Sequence, residues 1–180
     1  MVGKDLGIFK YHLKKSFKSM IRLIVDSGGD SHNNLFVIID SNPWHIEIAD
    51  TYHLYDFFEI TDEEFKRLNL RDDQVIKYSA ILLVKYWIDR INTMQKGEKK
   101  FIPFDISDQY IGGFLIEKIR NDFKIKLVWT DKTPGYWVSK STVDLELNED
   151  DFKNSKESEW LISDEGLLIG LNWSLKELSN

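Results

Sequence analysis

Two of the four histidines in the chain fall within NPWHIEIADTYH, residues 42–53, where Glu47 and Asp50 stand between them. Imidazoles and carboxylates this close together are the raw material of two chemistries, divalent-metal ligation and general acid–base catalysis. Side chains on a strand alternate, so His45 and Glu47 share one face while Trp44, Ile46 and Ile48 share the other. A metal site would use His45 and Glu47 as neighbouring donors and would need His53 to fold back as a third. The plainer reading is a half-buried strand with Trp44, Ile46 and Ile48 turned inward and His45 and Glu47 turned to water. On that reading no metal and no cofactor are expected, and His45, Glu47 and His53 stand as the metal candidates.

Other short patterns are weaker when taken with their surroundings. The His-x-Glu of His45 and Glu47 resembles the opening of the zinc deaminase signature, which also requires a downstream cysteine pair, and the chain has no cysteine. Gly29-Asp30-Ser31 followed by Asp50-x-x-His53 resembles the two blocks of the Gly-Asp-Ser hydrolases, which implies Ser31 as nucleophile with His53 and Asp50 behind it. Here only about twenty residues separate blocks that lie far apart in that family, and a basic segment precedes Ser31 in place of a strand. The loop from Asp26 to Asn33 has the composition of a calcium loop but lacks the glycine and the glutamate that an EF-hand requires. Gly112-Gly113 belongs to no Gly-x-Gly-x-x-Gly and is read as close helix packing. Asp105 and Asp108, on either side of Ser107, are read as caps of the same helix.

The elements that position these groups follow from periodicity. Leu6, Phe9, Leu13, Phe17, Met20, Ile21 and Ile24 recur at three- and four-residue steps and predict an amphipathic helix over Lys4–Val25, with lysines opposite. Strands are expected at Leu35–Asp40 and Trp44–Asp50, and Thr61-Asp-Glu-Glu64 is a capping box opening a short helix. Asp72 to about Gln95 is apolar on most sides and predicts a buried central helix. Phe101–Ile106 then reads as a strand, Ser107–Phe123 as a helix and Lys124–Thr130 as a strand. Thr133-Pro134-Gly135 turns the chain into extended segments at Tyr136–Ser139 and Thr142–Leu147. Glu149–Glu159 reads as an acidic connection, and Trp160–Ser163 with Leu167–Trp173 as a last hairpin around Asp164-Glu165-Gly166. The sum is an α+β fold. A mostly antiparallel sheet packs against the amphipathic N-terminal helix and the long apolar one, in a single domain over residues 1–180 with a soft division at 97–100.

Bulk properties then limit the function. The absence of cysteine excludes disulfide frameworks, thiolate metal sites and cysteine nucleophiles. No apolar run is long enough to span a bilayer, so a transmembrane segment is not expected, and with no leader pattern the expectation is a cytoplasmic protein. Two alanines against abundant Lys, Ile, Asn and Asp suggest an AT-rich bacterial source. The net charge is −6, but Lys4, Lys10, Lys14, Lys15, Lys18 and Arg22 against Asp5 leave the remainder much more acidic than the whole. Such a body repels phosphate and argues against general nucleic-acid binding. What remains is a small acidic protein-binding or inhibitor module with another, basic protein as partner, in the manner of toxin-immunity proteins. Tyr136, Trp137, Lys14, Lys15 and Lys18 are its candidate contacts. The alternative is a metal-dependent or hydrolytic enzyme using His45, Glu47, Asp50 and His53. Enzyme activity is the less favoured of the two, and the oligomeric state is open.

Overall fold

A computed structural model describes residues 19–26, 32–41 and 44–180. Over these residues the chain is α+β with two antiparallel sheets. Strands β1 (Met20–Val25), β2 (Leu35–Asp40) and β3 (His45–Ala49) form a three-stranded sheet in the order β1-β2-β3. Strands β4 (Lys99–Ile106), β5 (Ile111–Ile119), β6 (Asp122–Thr130) and β7 (Lys153–Ser163) form a four-stranded meander. Between the sheets in sequence lie helices α1 (Leu54–Phe57), α2 (Asp62–Leu68) and α3 (Asp72–Asn92). After β6 come a turn of 3-10 helix at Gly135–Trp137, helix α4 (Val143–Glu146) and a second 3-10 turn at Glu149–Asp151, and helix α5 (Asp164–Ser179) follows β7. No helix among the described residues is long and apolar enough to cross a membrane.

The expected N-terminal helix is corrected over its last residues, and its earlier part, residues 4–18, lies outside the described residues. Met20–Val25 is strand β1, in register with β2 from Met20↔Asp40 to Val25↔Leu35. Ile21 and Leu23 fit a two-residue period as well as a helical one, and both are fully buried beside Val37 and Ile39. Backbone pairing with β2 and a covered edge decide the ambiguity, because α5 seals β1 on its other side. The Leu23 N–H donates to Ser174 Oγ (2.8 Å), and the hydroxyl donates onward to the Gly170 carbonyl (2.9 Å). A Cβ on Gly170 would sit 2.2 Å from the Ile21 carbonyl oxygen, so glycine is what lets the helix reach the strand.

Helix α5 itself replaces the second arm of the expected last hairpin. Ser163 caps it by accepting the Gly166 N–H (3.1 Å), and Asp164 and Glu165 sit in the first turn where the helix dipole favours them. The stretch expected to be an acidic connection supplies a 3-10 turn and most of β7. Helix α3 is as long as its periodicity suggests, but it is not buried all round. Ala80, Leu83, Val84, Trp87 and Ile91 form one inward stripe, while Lys85 and Asp89 are exposed. Trp87 reaches the other half of the chain. Its indole N–H donates to the Pro103 carbonyl (3.0 Å), and its ring meets Phe104 and Phe114.

The largest correction is at Ser107–Phe123, a two-stranded hairpin and not a helix. Ile119 pairs with Asp122 across Arg120-Asn121, and Arg120 takes a positive φ of 53° to make the turn. Strand β5 lies between β4 and β6, so the Ile-rich run is paired on both edges, and its β-branched residues suit that position. Gly112 and Gly113 are consequently strand residues. Tyr136–Ser139 and Thr142–Leu147, expected as extended segments, hold the 3-10 turn and α4 instead.

Candidate functional site

The inward face of the three-stranded sheet is the opposite of the one the alternation suggests. Register places His45, Glu47 and Ala49 opposite Ile39, Val37 and Leu35, all of which are fully buried. Trp44 and Ile48, expected inside, are 59% and 56% exposed. His45 and Glu47 therefore point toward the four-stranded sheet. Their side chains meet at 2.5 Å, and the imidazole lies 5.2 Å from the ring of Trp160 on β7.

Facing Glu47 is a cleft of about 400 Å³, lined also by Phe104, Asp105, Tyr110, Leu127 and Trp129. Asp105 enters it because β4 carries a bulge, the register with β5 slipping between Pro103 and Asp105. Proline is tolerated there because β4 is an edge strand and the bulge needs no N–H from it. The bulge explains the paired glycines. A Cβ on Gly113 would come within 2.4 Å of the Ile102 carbonyl oxygen, and one on Gly112 within 3.2 Å of Asp105 Oδ2. Gly112 makes room for the carboxyl group, and Gly113 for the pressed-in β4 backbone.

Asp105 is the part of the site that sequence reasoning missed, having placed it at a helix start. It accepts the Asp50 backbone N–H (2.8 Å) and the Tyr110 hydroxyl (2.9 Å). Burial raises its carboxyl above the ordinary range of an aspartate. Those two hydrogen bonds oppose the rise, and the Asp50 and Glu47 carboxylates add to it. Burial and the adjacent Asp105 also push the Tyr110 hydroxyl up. The signal present in the sequence was Pro103 two residues before Asp105, followed by Gly112-Gly113, the composition of a bulge opposite a close approach.

Asp50 and His53 lie at the rim. The Asp50 carboxylate accepts the Tyr52 N–H (2.8 Å), and its carbonyl accepts the Ile106 N–H (3.2 Å), which ties β3 to β4. His53 is buried away from His45 and Glu47. Its Nδ1 meets Asp56 Oδ2 at 2.9 Å and its Nε2 meets Asp108 Oδ1 at 2.7 Å, with the rings of Tyr52 and Tyr136 against it. Burial alone would lower the imidazole, but hydrogen bonds and charge from both carboxylates outweigh it and hold His53 above its ordinary value. The four candidates thus divide into a His45–Glu47 pair of which Glu47 lines the cleft, Asp50, whose backbone N–H binds Asp105, and His53 in a separate bridge. Among the described residues no group of three or more His, Asp or Glu side chains is arranged to hold a metal ion.

Asp108 belongs to the β4–β5 turn, where Ser107 Oγ accepts the N–H groups of Gln109 (3.2 Å) and Tyr110 (3.1 Å). The turn at Gly135–Trp137 is pinned against it by the Gly135 N–H donating to the Ser107 carbonyl (2.9 Å). Tyr136 is thereby set beside His53 and half exposed, and Trp137 is 71% exposed. Tyr52 is a third exposed aromatic on this rim. Lys14, Lys15 and Lys18 lie outside the described residues. Trp129, on the cleft wall, already takes one cation: Lys153 Nζ lies 4.6 Å from its ring centroid and 2.7 Å from Asp131.

Fold and cleft together define a class, an α+β protein with two antiparallel sheets and an acidic, aromatic-walled cleft where they meet. The comparisons take that no further: no protein-family model, curated protein or solved structure matches the chain.

Proposed function

We propose that the protein is a binding module for another protein, and that the cleft and its rim receive basic side chains of that partner. The observation that carries this reading is the cluster of exposed Tyr52, Tyr136 and Trp137 at the Asp56–His53–Asp108 bridge, which Asp50 links to the cleft lined by Glu47 and Asp105. Aromatic rings with an apolar body and a polar or quadrupolar surface are the usual anchors of interfaces. Carboxylates beside them select lysine and arginine. The acidity of the chain speeds encounter with a basic partner and repels nucleic acid. An inhibitor that neutralises a basic toxin, as immunity proteins do, is the role these properties fit, and a bacterial cytoplasm is the setting the composition favours.

The test is capture from the source cell with the wild-type protein and Trp137→Ala in parallel, followed by salt elution and identification of the retained protein. A basic protein is expected on the wild type, released by salt and lost with Trp137→Ala. Equal recovery by both, or a retained acidic protein, counts against the reading.

A second reading has one observation in its favour. Asp105, whose carboxyl burial pushes above the ordinary aspartate range, lines the cleft together with Glu47, which meets His45 at 2.5 Å. It makes the protein a hydrolytic or metal-dependent enzyme. Stoichiometric zinc or manganese in purified protein, lost in His45→Ala, would favour it over the binding module.

A further inference from the structure

The three-stranded sheet has two edges, and they are finished differently. Along β1 the outward backbone groups meet α5, where the Leu23 N–H donates to Ser174 Oγ and Gly170 lets the helix lie against the Ile21 carbonyl. The other edge is β3. Backbone N–H and C=O groups of successive strand residues point to opposite sides, so one fixed residue orients the rest. Thr51 turns toward β2, donating to the His32 carbonyl at 2.8 Å. Asp50 turns away from β2, its N–H donating to Asp105 Oδ1 (2.8 Å) and its carbonyl accepting the Ile106 N–H (3.2 Å). The same phase follows from β2, where Asn34 accepts the Asp26 N–H from the β1 side, so Leu35 faces β3 and its partner Ala49 faces back. Ile46 and Ile48 therefore point outward like Asp50, and their N–H and C=O groups have no partner among the described residues. Strand β3 carries no lysine, proline or bulge to discourage pairing. Its one carboxylate, Glu47, points inward, which turns away an apolar strand and admits one whose facing residue is basic.

We propose that an extended segment of the partner protein adds to this edge as a fourth strand, hydrogen-bonded to the backbone of Ile46 and Ile48. This rests on the binding role proposed above and names the form in which the partner arrives. Cross-strand neighbours share a face of the sheet, so the partner residue beside Glu47 points inward. There it meets the cleft, where the carboxylates of Glu47 and Asp105 select lysine or arginine. The residues before and after it point outward beside Ile46 and Ile48, with Trp44 at the start of the strand, and Trp44 and Ile48 are both more than half exposed. Apolar side chains suit those two positions, because they cover apolar surface that water otherwise meets. The recognised pattern is thus apolar, basic, apolar in an extended chain. The bond from Ile106 to Asp50 closes the gap between β3 and β4 and ends the added strand there.

The probe is a synthetic heptapeptide of alternating valine and arginine, added to the full chain and followed by amide hydrogen exchange in NMR. The Ile46 and Ile48 N–H groups are expected to exchange fast in the free chain and several-fold more slowly with the peptide. Pairing along one edge uses the N–H groups of alternate residues only. Of two further peptides, N-methylated on every valine or on every arginine, one is therefore expected to bind about tenfold more weakly or worse and the other to bind like the parent. Ile48→Pro removes an N–H that the ladder to β2 does not use, and should weaken the parent peptide by a similar factor. The methylated pair gives the same answer with the protein unaltered. Equal binding by both methylated peptides overturns the proposal, as does binding that leaves Ile46 and Ile48 exchange unchanged, and in either case the binding role stands without the edge. No binding at millimolar peptide overturns it too, while capture with Trp137→Ala still decides the role. Slow exchange in the free chain also overturns it, assigning the edge to a second copy where dilution releases it and to this chain where dilution does not.

Discussion

The two sheets are built of similar residues but are finished differently. In the four-stranded sheet Phe114, Ile116, Phe123 and Ile125 are buried on the side facing the core, and Phe101 is covered on the other side by Phe152 at 4.4 Å. The three-stranded sheet is closed along one edge by α5 and on its inner face by the core. Its outer face carries exposed isoleucines and a tryptophan. The cleft lies at their junction, where β3 brings polar side chains to an interior face and β4 answers with a bulge. A strand can present His45 and Glu47 inward only where the facing sheet leaves room, and the cleft is that room.

Substitutions should separate the two sheets in a graded way. Trp87→Ala removes the side chain that joins α3 to β4 and β5, and should cost about 3–5 kcal/mol in urea unfolding, the largest effect. Gly113→Val drives a branched side chain into the β4 backbone, and about 3 kcal/mol is expected from overpacking of the four-stranded sheet. An unchanged midpoint would show that the bulge yields. Ser174→Ala leaves the Leu23 N–H without a partner at the sealed edge of the other sheet, for a loss of about 1–3 kcal/mol.

The junction has a pH signature. His53 is held above its ordinary value of 6.5. Its contribution to stability is therefore complete below the unfolded-state value and is lost as pH rises through the higher folded-state value. Asp108 is well exposed, so solvent screening keeps the effect to about 1 kcal/mol or less. In His53→Gln that fall in stability from pH 6.5 upward should disappear, as urea midpoints measured across the range would reveal. Last and smallest, Trp137→Ala should change stability by no more than about 0.5 kcal/mol, because the ring is a surface group. On the proposed function its effect is expected in partner capture, and a larger change in midpoint would recast Trp137 as a packing residue.

Part of this organisation is legible along the chain. Leu35–Asp40 is a strand with the expected bounds, β4 and β6 match to within two residues, and Thr61 caps α2 by accepting the Glu64 N–H at 3.2 Å. The α+β class follows from these. Two of the differences share one cause. In MIRLIV and in Ile111–Ile119, apolar residues are dense enough to satisfy a helical and a strand period at once, and neighbouring strands decide between them. Helix α5 was hidden because Gly166 and Gly170 look like turn residues, although Ser163-Asp164-Glu165 carries a helix-start signal. The glycines serve contact with β1, which local pattern does not encode. For the site, His45, Glu47 and Asp50 were visible as chemistry, whereas Asp105 was not, because its position depends on a bulge between strands.

Residues 44–50 draw the boundary most clearly. Alternation of Trp44, Ile46 and Ile48 with His45, Glu47 and Ala49 is local, and by itself it makes β3 a strand with two unlike faces. Hydropathy alone sends the isoleucines inward. Pairing with β2 sends them outward, because Leu35, Val37 and Ile39 are the side chains that meet the core, and β3 must follow their register. Which face of a strand is buried is a property of its neighbours, so only the tertiary structure could turn His45 and Glu47 toward a cleft.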